Sequence, residues 1–239
     1  MRRLRVPALF TVVLFGTAVL QADDNIFSVI LRGSYTTSSK VFFNPNASSE
    51  ELRGQFFQLD GITGWGAEVR YRFPGEPFFL TLSADYFSKT REQDQIIGFV
   101  GPERRFPVAD GFTLIPVELG VYTYIPLGSE TMRLSMGGGL GVYYGKRILR
   151  VAEVDAVMQN SPINLGIHIS SGVEYQVYPG ILLRGDMKFR DPELKTVNRY
   201  TQDRTTYDGV DLAFPRNDIS GRVNINGLTF SFGVVVELF

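Results

Sequence analysis

An all-β transmembrane barrel, eight strands running up and down in antiparallel order, is the fold this sequence predicts. Three observations predict it. An apolar run at the N-terminus has the form of an export leader. Behind it, apolar and polar residues alternate with period two in eight successive segments. The links between segments are alternately short and long, as in barrels with tight turns on one side of a membrane and longer connections on the other.

The leader covers residues 1–22 and leaves 23–239 as one barrel domain. Arg2, Arg3 and Arg5 supply the basic start, Val6 to Leu20 the apolar run, and Gln21-Ala22 meets the acidic pair Asp23-Asp24. The run is short for a bilayer-spanning helix, so cleavage is expected near Ala22, with Ala18 as the other site. The chain has no cysteine, which excludes a cysteine-linked lipid anchor, disulfides, thiolate metal sites and a cysteine nucleophile. Losing the three arginines leaves 21 basic residues against 25 acidic, no footprint for nucleic acid. After Leu20 no stretch approaches the roughly 18 apolar residues of a spanning helix. A membrane would be crossed by strands.

The segments follow in order. The first carries Phe27, Val29, Leu31 and Tyr35 on one parity. The second sets Phe57, Leu59, Trp65, Ala67, Val69, Tyr71 and Phe73 against Gln58, Asp60, Gly64, Gly66, Glu68, Arg70 and Arg72. In the third, Phe78, Leu80, Leu82, Ala84 and Tyr86 oppose Thr81, Ser83, Asp85 and Lys89. Ile115, Val117, Leu119, Val121 and Ile125 oppose Glu118, Gly120 and Tyr122 in the fourth. The fifth places Met132, Leu134, Met136, Leu140 and Val142 against Arg133, Ser135, Gly137, Gly139 and Gly141. The sixth places Leu165, Ile167, Ile169, Val173, Tyr175 and Val177 against His168, Ser170, Gly172 and Glu174. Ile181, Leu183, Met187 and Phe189 oppose Arg184, Asp186, Lys188 and Arg190 in the seventh. The eighth carries Leu228, Phe230, Phe232, Val234, Val236 and Leu238.

Every charge in these spans falls on the polar parity, so a one-residue slip of any strand would put charge on the apolar face. A soluble barrel with a greasy interior would show the same alternation. Three features favour polar inside and lipid outside. Glycines crowd the polar parity, where a narrow lumen needs small neighbours for its large polar side chains. Acidic and basic residues there nearly balance, as buried charges must. Aromatics gather beside the short turns, at Tyr71, Phe73, Phe78, Tyr124, Tyr175 and Phe239, as an interfacial girdle does.

The short turns are Pro74–Pro77, Pro126–Glu130 and Tyr178–Gly180, punctuated by Pro and Gly. Between them lie four long polar links, roughly 38–55, 90–111, 146–162 and 191–219, expected as extracellular loops. Ten strands would follow if the last of these hides a hairpin. Beyond Val223 and Ile225 the apolar parity switches at Gly227, which reads as a β-bulge. Phe239 shares parity with Glu237 and Ser231.

These residues resemble those of the small eight-stranded outer-membrane barrels typified by the transmembrane domain of outer membrane protein A. The likeness is carried by the leader, by Ile115-Pro116-Val117-Glu118-Leu119-Gly120 leading to Tyr122-Thr123-Tyr124, by Gly137-Gly138-Gly139-Leu140-Gly141, and by Gly172-Val173-Glu174-Tyr175. It implies a bacterial outer-membrane location among lipid and lipopolysaccharide. It also implies assembly by the barrel-assembly machinery, with the terminal Phe239 as the assembly signal.

The candidate site is the lumen. Glu68, Arg70, Arg72, Asp85, Glu118, Arg133, Glu174, Arg184, Asp186 and Lys188 are expected to form a salt-bridge network. As a plug it fills a barrel only wide enough for its own side chains; as a pathway it lines a narrow ion route. His168-Ile169-Ser170 places an imidazole and a hydroxyl on one strand face and resembles the His-x-Ser pair of lipid A deacylase barrels. That face is the lumenal one, whereas such an enzyme works from the outer wall, so a hydrogen-bonded lumen histidine is expected and no catalytic residue is assigned. Asp203, Asp208 and Asp211 lack the spacing of a metal loop, and no cofactor motif is present. The functional expectation is a non-enzymatic envelope protein displaying four loops, with a narrow channel and a lipid A-modifying enzyme as the competing classes.

Overall fold

The computed structural model describes residues 26–96, 104–127, 129, 131–160 and 163–238. The leader and the terminal Phe239 lie outside the described residues. In chain order the elements are β1 (Phe27–Phe42), a single turn α1 (Glu50–Arg53), β2 (Phe56–Arg72), β3 (Phe78–Ile96), β4 (Arg105–Ile125), β5 (Met132–Val151), β6 (Val154–Asn160) and β7 (Asn164–Tyr178). They continue with β8 (Ile181–Arg190), β9 (Glu193–Tyr200), the hairpin β10 (Arg204–Tyr207) and β11 (Val210–Ala213), β12 (Ile219–Asn224) and β13 (Leu228–Glu237).

Eight of these strands close a ring, β1-β2-β3-β4-β5-β7-β8-β13, with β13 returning to β1 over Ser28↔Glu237 to Thr36↔Thr229. Every pairing is antiparallel. The last long link does hold a hairpin, β10–β11, but it pairs only with itself and adds nothing to the ring. Eight strands stand.

Across the membrane belt the outward positions of the ring carry no charge. Leu31, Trp65, Leu82, Leu119, Leu140, Ile167, Met187 and Phe232, one from each ring strand, are all exposed. A water-soluble protein does not present so large a contiguous apolar surface; a bilayer receives it, over a band ~25 Å tall. Phe27, Tyr71, Phe73 and Phe78 pack in tilted and T-shaped contacts at the short-turn end, with ring centres 4.9–5.2 Å apart. Tyr124, expected in that girdle, points into the lumen instead, where its hydroxyl accepts hydrogen bonds from Arg70 and Arg72.

The long links are mostly sheet. β3, β4 and β5 run well past the apolar belt, and a tight turn at Ala152, in the left-handed conformation, returns the chain as β6. β9 prolongs β8 and β12 prolongs β13: Phe189↔Leu228 and Glu193↔Asn224 keep one register across the interruption at Arg190–Pro192. β6 joins β9, and β12 joins β1, so the wall continues outward above the membrane belt. One seam stays open. Pairing of β2 with β3 stops at Thr63↔Ser88 although both strands continue.

At that level the facing of β1 and β2 inverts. Arg32, Ser34 and Thr36 are buried below, Ser39 and Val41 above; on β2, Glu68 and Ile62 are buried below and Leu59 above. Gly61 sits at the inversion with φ +64, a left-handed conformation that glycine adopts without strain. The register of β1 against β13 and β12 slips by one residue here, from Thr36↔Thr229 to Lys40↔Asn224. Gly227 presses onto β1, where a Cβ would lie 2.6 Å from the Ser38 nitrogen. The expected parity switch at Gly227 is thus a register slip, while β12 and β13 keep the same side inward: Val223, Ile225, Thr229 and Val235 are all buried. What changes is the content of the interior, which is apolar above and charged below.

Candidate functional site

Period-two geometry points alternate residues of each ring strand at the barrel axis, and with eight strands their side chains meet in the middle. The inward carboxylates and cations form one continuous chain. Asp186 meets Arg184 at 2.6 Å, Arg184 meets Glu174 at 2.6 Å, and Glu174 meets Arg70 at 2.8 Å. Arg70 approaches Glu68 at 3.6 Å, Glu68 meets Arg32 at 2.6 Å, and Arg32 forks onto Asp85 with bonds of 3.0 and 3.1 Å. Asp85 meets Arg190 at 3.2 Å, Arg190 approaches Glu118 at 3.4 Å, and Glu118 meets Lys188 at 2.7 Å. Charge alternates in sign along the whole chain, five acids and five bases, with every side chain at most 5% exposed.

Arg72 and Arg133 stand apart from this chain. Both bind Glu237 near the short-turn end, at 3.3 and 2.5 Å, and both remain about a quarter exposed. Arg32, Arg190 and Glu237 belong to the lumen ion pairs although the candidate set omits them. They carry the same parity and charge signal as the others. The aromatic members are less legible: Phe79 stacks under the Arg70 guanidinium at 4.3 Å, and Arg190 lies 5.1 Å from the Phe87 ring. Both phenylalanines sit on the polar parity.

Above Glu118 the interior turns apolar. Val41, Leu59, Ile62, Phe87, Phe112, Leu114, Tyr143, Leu194, Val223 and Ile225 form one buried cluster drawn from both halves of the chain. Tyr143 joins the two storeys, its ring in the apolar cluster and its hydroxyl donating to Glu118 at 3.0 Å. Outside the membrane band, Arg147 forks onto Asp110 with bonds of 2.9 and 2.5 Å. Beside that pair burial pushes the Tyr200 phenol up, with Arg147 opposing the shift and Asp110 adding to it.

His168 and Ser170 are 2% and 8% exposed and face the lumen. The imidazole stacks near Tyr122, ring centres 6.4 Å apart, and its Nδ1 has no hydrogen-bond partner among the described residues. No group of three or more His, Asp or Glu side chains suited to a metal occurs among the described residues.

No protein-family model matches the sequence, and no curated protein matches it either. Solved structures do. The outer membrane protein OprG from Pseudomonas aeruginosa aligns over 88% of this chain and 95% of its own, at 15% identity and a TM-score of 0.57. Neisserial surface protein A and the attachment invasion locus protein Ail of Yersinia pestis align over 88% of this chain and 96% and 97% of their own, at 14% and 13% identity, each with a TM-score of 0.44. The likeness to OprG joins the closed eight-strand ring and its uncharged outer belt in one conclusion: the chain has the fold of a bacterial outer-membrane β-barrel.

Proposed function

We propose that this protein is a non-enzymatic outer-membrane barrel whose lumen is closed and whose strand extensions form a rigid platform at the cell surface. The leader at residues 1–22 exports it, Phe239 serves as its signal to the barrel-assembly machinery, and outer-membrane lipid with lipopolysaccharide surrounds it.

One observation carries the reading: the lumen is filled twice over. A chain of ten paired charges is capped by an apolar cluster. An ion entering from outside meets the apolar storey, which offers no replacement for its hydration shell. An ion entering from the other end must displace side chains already committed to each other. Buried pairs resist this, because separating partners leaves an uncompensated charge costing about 3–5 kcal/mol.

Planar-bilayer recording tests it. The wild-type barrel is expected to insert and stay silent. Reproducible current steps that shift when Glu118 or Arg133 is neutralised would replace this reading with a channel.

A further inference from the structure

Just above the apolar belt, on the outward face, Lys195, Arg222, Phe42 and Phe56 lie side by side as cross-strand partners on β9, β12, β1 and β2. The row beneath, nearer the membrane, runs Glu193, Asn224, Lys40 and Gln58. The Arg222 guanidinium stands 4.2 Å from the Phe42 ring and the Lys40 ammonium 4.7 Å from the Phe56 ring. Two cations therefore lie on two aromatic plates, with Lys195 beside Arg222 as a third.

Their charge is under-compensated. Glu193 approaches Lys195 at 3.8 Å and Arg222 at 3.7 Å, both at the limit of an ion pair. Elsewhere on the outer rim, cations and carboxylates meet one to one at closer range: Arg150 with Asp155 at 2.7 Å, Arg199 with Asp218 at 2.7 Å, and Arg216 with Asp203 at 2.8 Å. Lys195 and Arg222 are direct cross-strand partners, and like charges so placed destabilise a sheet. An anion held between them removes that repulsion.

Position selects the anion. Leu228, at the top of the lipid-facing wall, is four residues along the chain from Asn224, about 13 Å at roughly 3.3 Å per residue. Basic groups this near a membrane surface draw anionic headgroups, worth about 1 kcal/mol for each Lys or Arg. We infer that this patch binds a phosphorylated glycolipid of the outer leaflet. Lys195, Arg222 and Lys40 hold the phosphate, and Phe56 offers an apolar face to the sugar.

The test uses the refolded full chain in zwitterionic micelles. It is titrated with bisphosphorylated lipid A, with lipid A stripped of phosphate, and with inorganic phosphate. Bound lipid is counted by native mass spectrometry, and the heat-unfolding midpoint is followed by gel mobility. Bisphosphorylated lipid A is expected to bind and raise the midpoint, and the other two probes to do neither. Lys40→Gln with Lys195→Gln should weaken binding about tenfold or more. Lys146→Gln, an exposed cation outside the patch, should leave it unchanged. Equal affinity in the double variant, or equal binding of phosphate-free lipid A, overturns the inference. A full midpoint shift with inorganic phosphate alone assigns the site to a free anion and overturns the lipid assignment. The inference rests on the bilayer placement proposed above. A wild-type chain without heat-modifiable mobility fails that placement, whereas normal mobility with unchanged affinity in the variant fails the inference alone.

Discussion

Arg190 on β8 donates to Asp85 on β3 across the full width of the barrel, at 3.2 Å. The two strands are four apart whichever way the ring is followed. Arg70 and Glu174 make a second such link, from β2 to β7, at 2.8 Å. Guanidinium stays charged at any ordinary pH, so these struts persist, and their energetics can be measured.

Glu118 accepts from Lys188 at 2.7 Å and from Tyr143 at 3.0 Å, and faces Arg190 at 3.4 Å. Glu118→Leu leaves two buried cations short of a counter-charge and should cost about 3–5 kcal/mol. Val121→Leu, on the lipid face of the same strand, keeps its apolar character and should cost less than about 1.5 kcal/mol. Urea unfolding of both from micelles reads the difference. Equal midpoints would mean that the polar face does not point inward.

The glycines divide by what a methyl group would meet. At Gly139 a Cβ would overlap the Leu119 carbonyl oxygen, and at Gly66 the Asp85 carboxylate. At Gly33 and Gly185 it would meet nothing within 4 Å. Gly139→Ala should destabilise by about 1–3 kcal/mol through forced backbone movement. Gly33→Ala should be neutral or stabilise by up to roughly 1 kcal/mol, since alanine costs less to order in a strand. Thermal midpoints of the two single variants give the comparison.

Leu194 lies in the apolar storey, 2% exposed, against the bare backbone of Gly145. Leu194→Ala should cost about 2–5 kcal/mol, because rigid neighbours leave a cavity. Leu140→Ala, on the lipid face, should cost clearly less, since acyl chains close over the gap. The measurement is the same urea titration. If the two variants lose equal stability, the upper storey is not a packed core.

Much of the fold is readable from alternation, because one inverted residue would put a charge into lipid. The same rule hides what happens above the membrane. Phe57 and Leu59 share parity with Trp65 in the sequence, yet Leu59 is buried and Trp65 is 68% exposed, because Gly61 inverts the facing between them. Val223 and Ile225 look out of phase with Leu228 and Phe230 for the opposite reason: facing is constant and the interior changes. Period two separates apolar from polar, not lipid from core. The inward aromatics Phe79, Phe87 and Tyr143 are hidden likewise, since a ring on the polar parity carries no charge to mark it, whereas Tyr122 is set among the polar residues by its alternation with Glu118 and Gly120.

The surface platform predicts a narrow protease profile. Arg53 in α1 and Arg216 beyond β11 are exposed in connecting segments, whereas Arg147 is buried in its fork with Asp110. Trypsin acting on the folded barrel should cut after Arg53 and Arg216 and spare Arg147, as fragment masses would show. Early cleavage at Arg147 would mean that the strand extensions open readily.

The order in which the lumen charges find partners follows from where they sit on the chain. Arg32, Glu68, Arg70 and Asp85 lie on β1, β2 and β3, and they neutralise one another there before any later strand is needed. Within the β7–β8 hairpin Glu174 and Asp186 both pair with Arg184. Contacts close in sequence form first, because loop closure costs less. The barrel can therefore begin as two internally paired sub-assemblies, β1–β3 and β7–β8. Arg70–Glu174 and Arg190–Asp85 are then latches that engage only as the ring shuts. Removing a latch should slow the last step of folding while leaving the early hairpins intact.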